Sequence, residues 1–217
     1  MSENKNIVYI PPHFKLEDKI QIAQLIEQNS FGTLVSAHNN IPVATHIPLE
    51  LNTTDSENWI LYGHMAKANP QWKQFVTGTE VLAMFLGAHS YISPSWYTAP
   101  NVPTWNYLAA HLYGTLRMLE GEELENLLQM QMKRYEQMLA NKPQPYEAIP
   151  AHTLEKDLKG VVGFAIRVTK VEATQKLSQN RDNQSKQNIV NELKNQRSYG
   201  APQIAAEMGK LLDPNKK

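Results

Sequence analysis

One run of the sequence places anion-binding residues side by side: Tyr62-Gly63-His64-Met65-Ala66-Lys67-Ala68-Asn69-Pro70-Gln71-Trp72. An extended segment ends near the glycine, His64 and Lys67 follow, and Asn69-Pro70 has the form of an N-cap with proline at the first helical position. The N–H groups that open a helix lack an internal partner, and beside an ammonium they form a phosphate site. Lys67 would act there as a point charge and His64 as a donor. A solvent-facing lysine ahead of an ordinary helix accounts for the same residues. A second run, 90–107, crowds Tyr91, Trp96, Tyr97, Trp105 and Tyr107 together with Pro94, Pro100 and Pro103. Prolines stiffen the backbone, and the rings want partial burial with their polar tips satisfied. Such a loop can wall a planar ligand, plug a barrel end or meet another subunit. A third run, Lys176-Leu177-Ser178-Gln179-Asn180-Arg181, is a row of donors after the last strand pattern. It suits a ring carbonyl or a phosphate, and equally a helix cap.

Other chemistries find no support. The chain has no cysteine, which removes disulfides, thiolate nucleophiles and Cys-ligated metals. Its seven histidines never fall at H-x-x-x-H or H-x-x-E-H spacing. His46, His64, His89 and His111 lie on or beside strand patterns, where each reads as a partly buried histidine. No nucleophile elbow, dinucleotide glycine motif or NTPase phosphate loop occurs, and no carboxylate pair suits acid–base work. No catalytic side chain is expected. A net charge of zero, 21 basic against 21 acidic residues, argues against broad non-specific nucleic-acid binding. The start carries no apolar signal core, and no segment of about 20 apolar residues occurs, so a cytoplasmic location is expected.

The elements that must position these groups follow from periodicity. An extended entry over 8–12 leads to a helix over 15–28, with Leu16, Ile20, Ala23 and Ile26 on one stripe and Asn29 at its end. Strands are expected over 31–37 and 41–51, joined by a turn at His38-Asn39-Asn40. Pro42 and Pro48 mark the second as an edge or bulged strand. A strand over 59–63 precedes a helix over 69–76. The apolar run 80–87 reads as a strand buried on both faces. The strand over 105–118 has an apolar face (Leu108, Ala110, Leu112, Leu116, Met118) and an aromatic-polar one (Trp105, Tyr107, His111, Tyr113, Thr115, Arg117). The second face fits a subunit interface or a ligand site. A helix over 120–139 buries Leu124, Leu127, Leu128, Tyr135, Met138 and Leu139, and a short helix spans 152–158. The last strand covers 161–171. A polar helix over 182–196 is anchored by Ile189, Val190 and Leu193, another helix spans 202–212, and 213–217 should fray. Helices inserted among strands, without a βαβ rhythm, give an α+β chain around an antiparallel barrel.

Four of these stretches together resemble the PaiB family of FMN-binding negative transcriptional regulators: VYIPPHF near the start, YGHMAKANPQW, SYISPSWY followed by VPTWNY, and GVVGFAIRVTKVEATQKLSQNR. The resemblance runs from Tyr9 to Tyr199. It implies an antiparallel split β-barrel of the pyridoxamine-phosphate-oxidase type with flanking helices, homodimeric, with FMN between subunits. It implies repression of sporulation and degradative-enzyme genes in a bacterial cytoplasm, with operator DNA as a candidate partner. Residues 1–175 would be the barrel domain, and 176–217 a helical extension packed on the barrel or the dimer partner. On this resemblance His64 and Lys67 would hold the FMN phosphate, with Asn69 shaping the helix start. Thr45, His46, Ile47, Pro48 and Leu49 would offer backbone groups to the ring edge. Ser93, Trp96, Trp105 and Asn106 would line the ring or the opposing subunit, and Gln179 and Arg181 would close the site. The same fold class also accommodates a flavin-dependent oxidoreductase, or a haem-handling protein with His46 or His111 on the iron. No helix-turn-helix is legible; the most basic element, 181–197, mixes Lys186, Lys194 and Arg197 with Asp182 and Glu192.

Overall fold

The computed structural model describes residues 8–139, 141–198 and 200–212. Seven strands form one sheet: β1 (Lys15–Leu16), β2 (Phe31–His38), β3 (Ile41–Asn52), β4 (Ile60–Ala66), β5 (Thr79–Ile92), β6 (Thr104–Leu119) and β7 (Val161–Lys176). Their order is β1-β7-β4-β3-β2-β5-β6, and a further β6–β7 pairing closes the ring. The ladders β1–β7, β2–β3, β2–β5, β3–β4 and β4–β7 are antiparallel. The helices among the described residues are α1 (Lys19–Gln28), α2 (Gly121–Leu139), α3 (Ala151–Gly160), α4 (Asn183–Asn195) and α5 (Ala201–Leu212). The result is the expected α+β split barrel. No helix among the described residues is long and apolar enough to cross a membrane. Internal contacts divide the chain into a terminal unit (1–29, 85–110, 172–217) and a central unit (30–84, 111–171).

In the central unit β2 and β3 form a tight hairpin. Asn39 and Asn40 take φ of 50° and 61°, the two positive values that a type I′ turn requires. β3 pairs with β2 along 41–48, but β4 meets it only from Leu49 to Asn52. The edge character read from Pro42 and Pro48 therefore belongs to the first part of the strand, which lacks a β4 partner. Ring closure needs Gly114, because a Cβ there would lie 2.4 Å from the backbone oxygen of Arg167 on β7. Gly63 is as tightly placed: a Cβ would come within 2.7 Å of the Phe164 ring and 2.8 Å of Leu49. Leu34, Leu49, Leu61, Leu116, Phe164 and Ile166 are buried in this unit.

In the terminal unit α1 starts four residues later than the apolar period indicates. The Asp18 carboxylate accepts from the N–H groups of Ile20 (2.8 Å) and Gln21 (3.1 Å), and Lys15–Leu16 instead pair with Thr174 and Ala173 of β7. The cap and the ladder outweigh periodicity, and the inward stripe rotates to Ile22, Leu25 and Ile26, leaving Ile20 70% exposed. Asp182 caps α4, which buries Ile189, Val190 and Leu193 as expected, and α5 buries Ala201, Ile204, Ala205 and Met208. Residues 213–217 lie outside the described residues.

Two further expectations are corrected. β5 is not buried on both faces: Val81, Ala83 and Phe85 are buried, but Leu86 is 59% exposed. Barrel strands have one inner face, and here the outer face is apolar as well. On α2, Leu127 and Gln131 are buried, while Met138 is 64% exposed. The side chain of Leu139 lies outside the described residues.

Candidate functional site

The predicted site residues fall into two groups, one in each unit. In the central unit they gather where β4 ends. Leu61, Gly63 and Met65 point inward, so His64 is on the opposite, half-buried face with Tyr62. The chain then turns. Lys67 N–H donates to the Gly160 carbonyl (2.8 Å), and the Trp72 indole N–H donates to the Lys67 carbonyl (2.8 Å). Lys67 is exposed with its backbone held on both sides.

The expected helix over 69–76 is a 3₁₀ turn, Pro70–Gln74. Asn69 caps it, its Oδ1 accepting from Gln71 N–H at 2.9 Å. A turn this short carries no useful macrodipole, and its cap consumes one of the N–H groups proposed for the phosphate. Anion binding here must rest on the His64 and Lys67 side chains. The Asn69 amide also donates to Thr45 Oγ1 (2.9 Å), tying the turn to β3. Gln71, fully buried, completes the tie: its Nε2 lies 3.2 Å from Leu34 O, 3.1 Å from Ser36 Oγ and 3.1 Å from Val43 O. The His64–Asn69 turn is thus fixed to the part of β3 that β4 leaves unpaired. Of 45–49, Ile47 and Leu49 are buried. His46 is exposed, 2.8 Å from Thr33 Oγ1 and stacked on Phe31.

In the terminal unit the aromatic run and the donor run meet. Ser93 caps a 3₁₀ turn, Pro94–Trp96, in which Trp96 is half-buried. Trp105 is 53% exposed and forms an aromatic group with His89 (6.2 Å) and Tyr91 (6.0 Å, edge to face). Asn106 is fully buried, its amide engaged with the Ser178 hydroxyl (3.0 Å) and Met208 Sδ (3.4 Å). The Gln179 amide serves its own turn, accepting from Leu177 N–H at 2.7 Å and donating to the Gln175 carbonyl. Arg181 lies 5.2 Å from the centre of the Tyr97 ring. Burial pushes the Tyr97 phenol up, against the pull of the Arg181 charge. Lys176, 2.6 Å from Thr104 Oγ1, has its ammonium pKa lowered by burial and by Arg181.

Sequence reasoning missed two residues. Gln71 was read only as part of the helix start. Gln131 occupies an inward position of α2, where its Oε1 lies 2.6 Å from His64 Nδ1. The signal that could have found it is a polar residue one turn beyond Leu127 on an otherwise apolar stripe.

Residues 8–170 match a family described as "Putative FMN-binding domain". The chain is 42% identical over 201 residues to protease synthase and sporulation protein PAI 2 of Bacillus subtilis, covering 93% of this chain and 96% of that one. It is 28% identical over 214 residues to an uncharacterized protein of Emericella nidulans, covering 80% and 85%. Among solved structures, the flavocytochrome Anf3 of Azotobacter vinelandii superposes with a TM-score of 0.55 at 11% identity, over 79% of this chain and 74% of that one, a likeness of fold. The family match over 8–170 and the near full-length identity to PAI 2 place this chain in the PaiB family of split-barrel proteins, with FMN as the family's cofactor.

Proposed function

We propose that this protein is a homodimeric negative regulator of transcription in the bacterial cytoplasm, with FMN held at the subunit interface. The observation that carries the FMN part of this reading is an exposed cation, Lys67, on a turn fastened to the unpaired stretch of β3. FMN brings a phosphate, a polar ribityl chain and a flat ring whose edge both donates and accepts hydrogen bonds. His64 and Lys67 take the phosphate, and Asn69 holds the turn that carries them. The backbone from Thr45 to Leu49 takes the ring edge. Ser93, Trp96 and Trp105 provide a wall for the ring or for the opposing subunit. In this reading 1–175 form the FMN-binding barrel and 176–217 its helical extension. Bound FMN supplies whatever redox chemistry occurs, while the chain binds, orients and shields it.

The regulatory role rests on PAI 2, whose name joins protease synthesis to sporulation. The test has two stages. The visible spectrum of the purified protein reports flavin, and footprinting over a salt series reports direct operator contact, which should weaken steeply with salt. Deleting the gene should raise expression of a defined gene set, and the wild-type protein should restore repression. A flavin-free protein that binds no added FMN, or a deletion that changes no transcript, would refute the corresponding half of the proposal.

A further inference from the structure

Helix α2 carries a glutamine where its inward stripe calls for an apolar residue. Leu127 is 3% exposed, and one turn later Gln131 is 4% exposed. On the facing strand, Ile60 and Tyr62 pack against the cluster of Leu119, Leu127 and Ala165. The next residue on that face of β4 is His64. A helical turn advances about 5.4 Å and two strand residues about 6.7 Å, so the layer after Leu127–Tyr62 is Gln131–His64. Gln131 Oε1 lies 2.6 Å from His64 Nδ1, and Gln131 Nε2 lies 3.5 Å from the Pro48 carbonyl oxygen. Turning the amide over would set two acceptors, Oε1 and Pro48 O, against each other. The observed arrangement favours the amide oxygen toward the imidazole, and an oxygen acceptor there calls for a hydrogen on Nδ1.

We infer that Gln131 is a positioning residue for the phosphate end of the FMN site: it keeps a hydrogen on His64 Nδ1 and leaves Nε2 as the ring atom that meets the ligand. The identity of the ligand rests on the reading above; the tautomer does not. A ring that donates from Nε2 to a phosphate oxygen while Nδ1 also carries a hydrogen needs an acceptor at Nδ1, and Gln131 Oε1 is placed to supply it. Gln131 Oε1 accepts from Nδ1–H in both charge states, so the contact survives protonation. A donor in its place would oppose the charged form. Gln131 thereby prepares the ring for an anion without touching the anion itself.

The test reads the imidazole directly. Nitrogen-15 NMR of the FMN-free protein, at a pH where His64 is neutral, should place its hydrogen on Nδ1. Gln131→Glu keeps an oxygen toward Nδ1 and should keep that tautomer; Gln131→Met removes the acceptor, should release the hydrogen to Nε2 and should weaken FMN by about tenfold or more. A wild-type hydrogen on Nε2, or unchanged FMN affinity in Gln131→Met, overturns the inference. If Gln131→Met does not fold, the wild-type and Gln131→Glu spectra still decide it. If the wild type binds no FMN, the ligand reading falls, while the tautomer still tests the Gln131–His64 contact.

Discussion

At the scale of single residues, the central group separates side chains that hold structure from those left for a ligand. Asn69 and Gln71 are spent on β2 and β3, and His64 has one nitrogen committed to Gln131. The Lys67 ammonium is the exposed charge beside them. Lys67→Ala should therefore weaken FMN by about 1.5–3 kcal/mol, on the order of 10- to 100-fold, in a flavin fluorescence titration, with stability unchanged. Unchanged affinity would remove Lys67 from the phosphate. Gln71 should behave in the opposite way. Gln71→Leu strips the donor from the Leu34 and Val43 carbonyls inside the barrel wall and should cost about 1–3 kcal/mol in denaturant unfolding. FMN affinity should then fall only as far as the turn loosens. A Gln71→Leu protein as stable as the wild type would show that the turn is not fastened this way.

At the scale of elements, caps and close approaches set the boundaries. The Asp182 carboxyl is held below its usual value by hydrogen bonds from Ser185, first its side chain and then its backbone N–H, with Thr98 adding a smaller contribution. A lowered folded pKa means that the ionised cap stabilises the fold above the unfolded carboxyl range and loses that contribution as pH falls through the folded value. Asp182→Asn keeps a capping oxygen without the titration, so its melting temperature should fall less steeply than the wild type's below about pH 4. Parallel acid limbs would contradict this. Such features also explain which elements were legible. The two-residue Asn39–Asn40 turn, α4 with its three anchors and the aromatic-polar alternation of β6 are local patterns, and the sequence states them outright. The start of α1 depended on a ladder to Thr174, far along the chain, which no local period contains. The 69–76 helix failed for a related reason. Its cap signal was real, but Gln71 is drawn into the barrel wall and the segment tightens into a 3₁₀ turn. Of the candidate site, His64, Lys67 and Asn69 lie in one run of the sequence, whereas the Gln131–His64 contact exists only once α2 lies across β4.

At the scale of the whole molecule, the proposed interface makes a thermodynamic demand. If FMN is held where two subunits meet, it binds the dimer better than the monomer, and linkage is reciprocal: the factor by which dimerisation tightens FMN is the factor by which FMN tightens the dimer. The terminal unit exposes the kind of surface such an interface covers, with Leu86 59%, Trp105 53% and Tyr91 45% exposed. Tryptophan and tyrosine are the residues that most often dominate subunit contacts. Analytical ultracentrifugation should find a species of twice the chain mass, dissociating at higher protein concentration without FMN than with it. Trp105→Asp places a charge in that surface and should raise the dimer dissociation constant by about tenfold or more, with a loss of FMN affinity in the same preparation. A dimer whose dissociation is indifferent to FMN would mean that the cofactor lies away from the interface. A Trp105→Asp protein that stays dimeric and keeps its flavin would remove the Trp105 face from both roles.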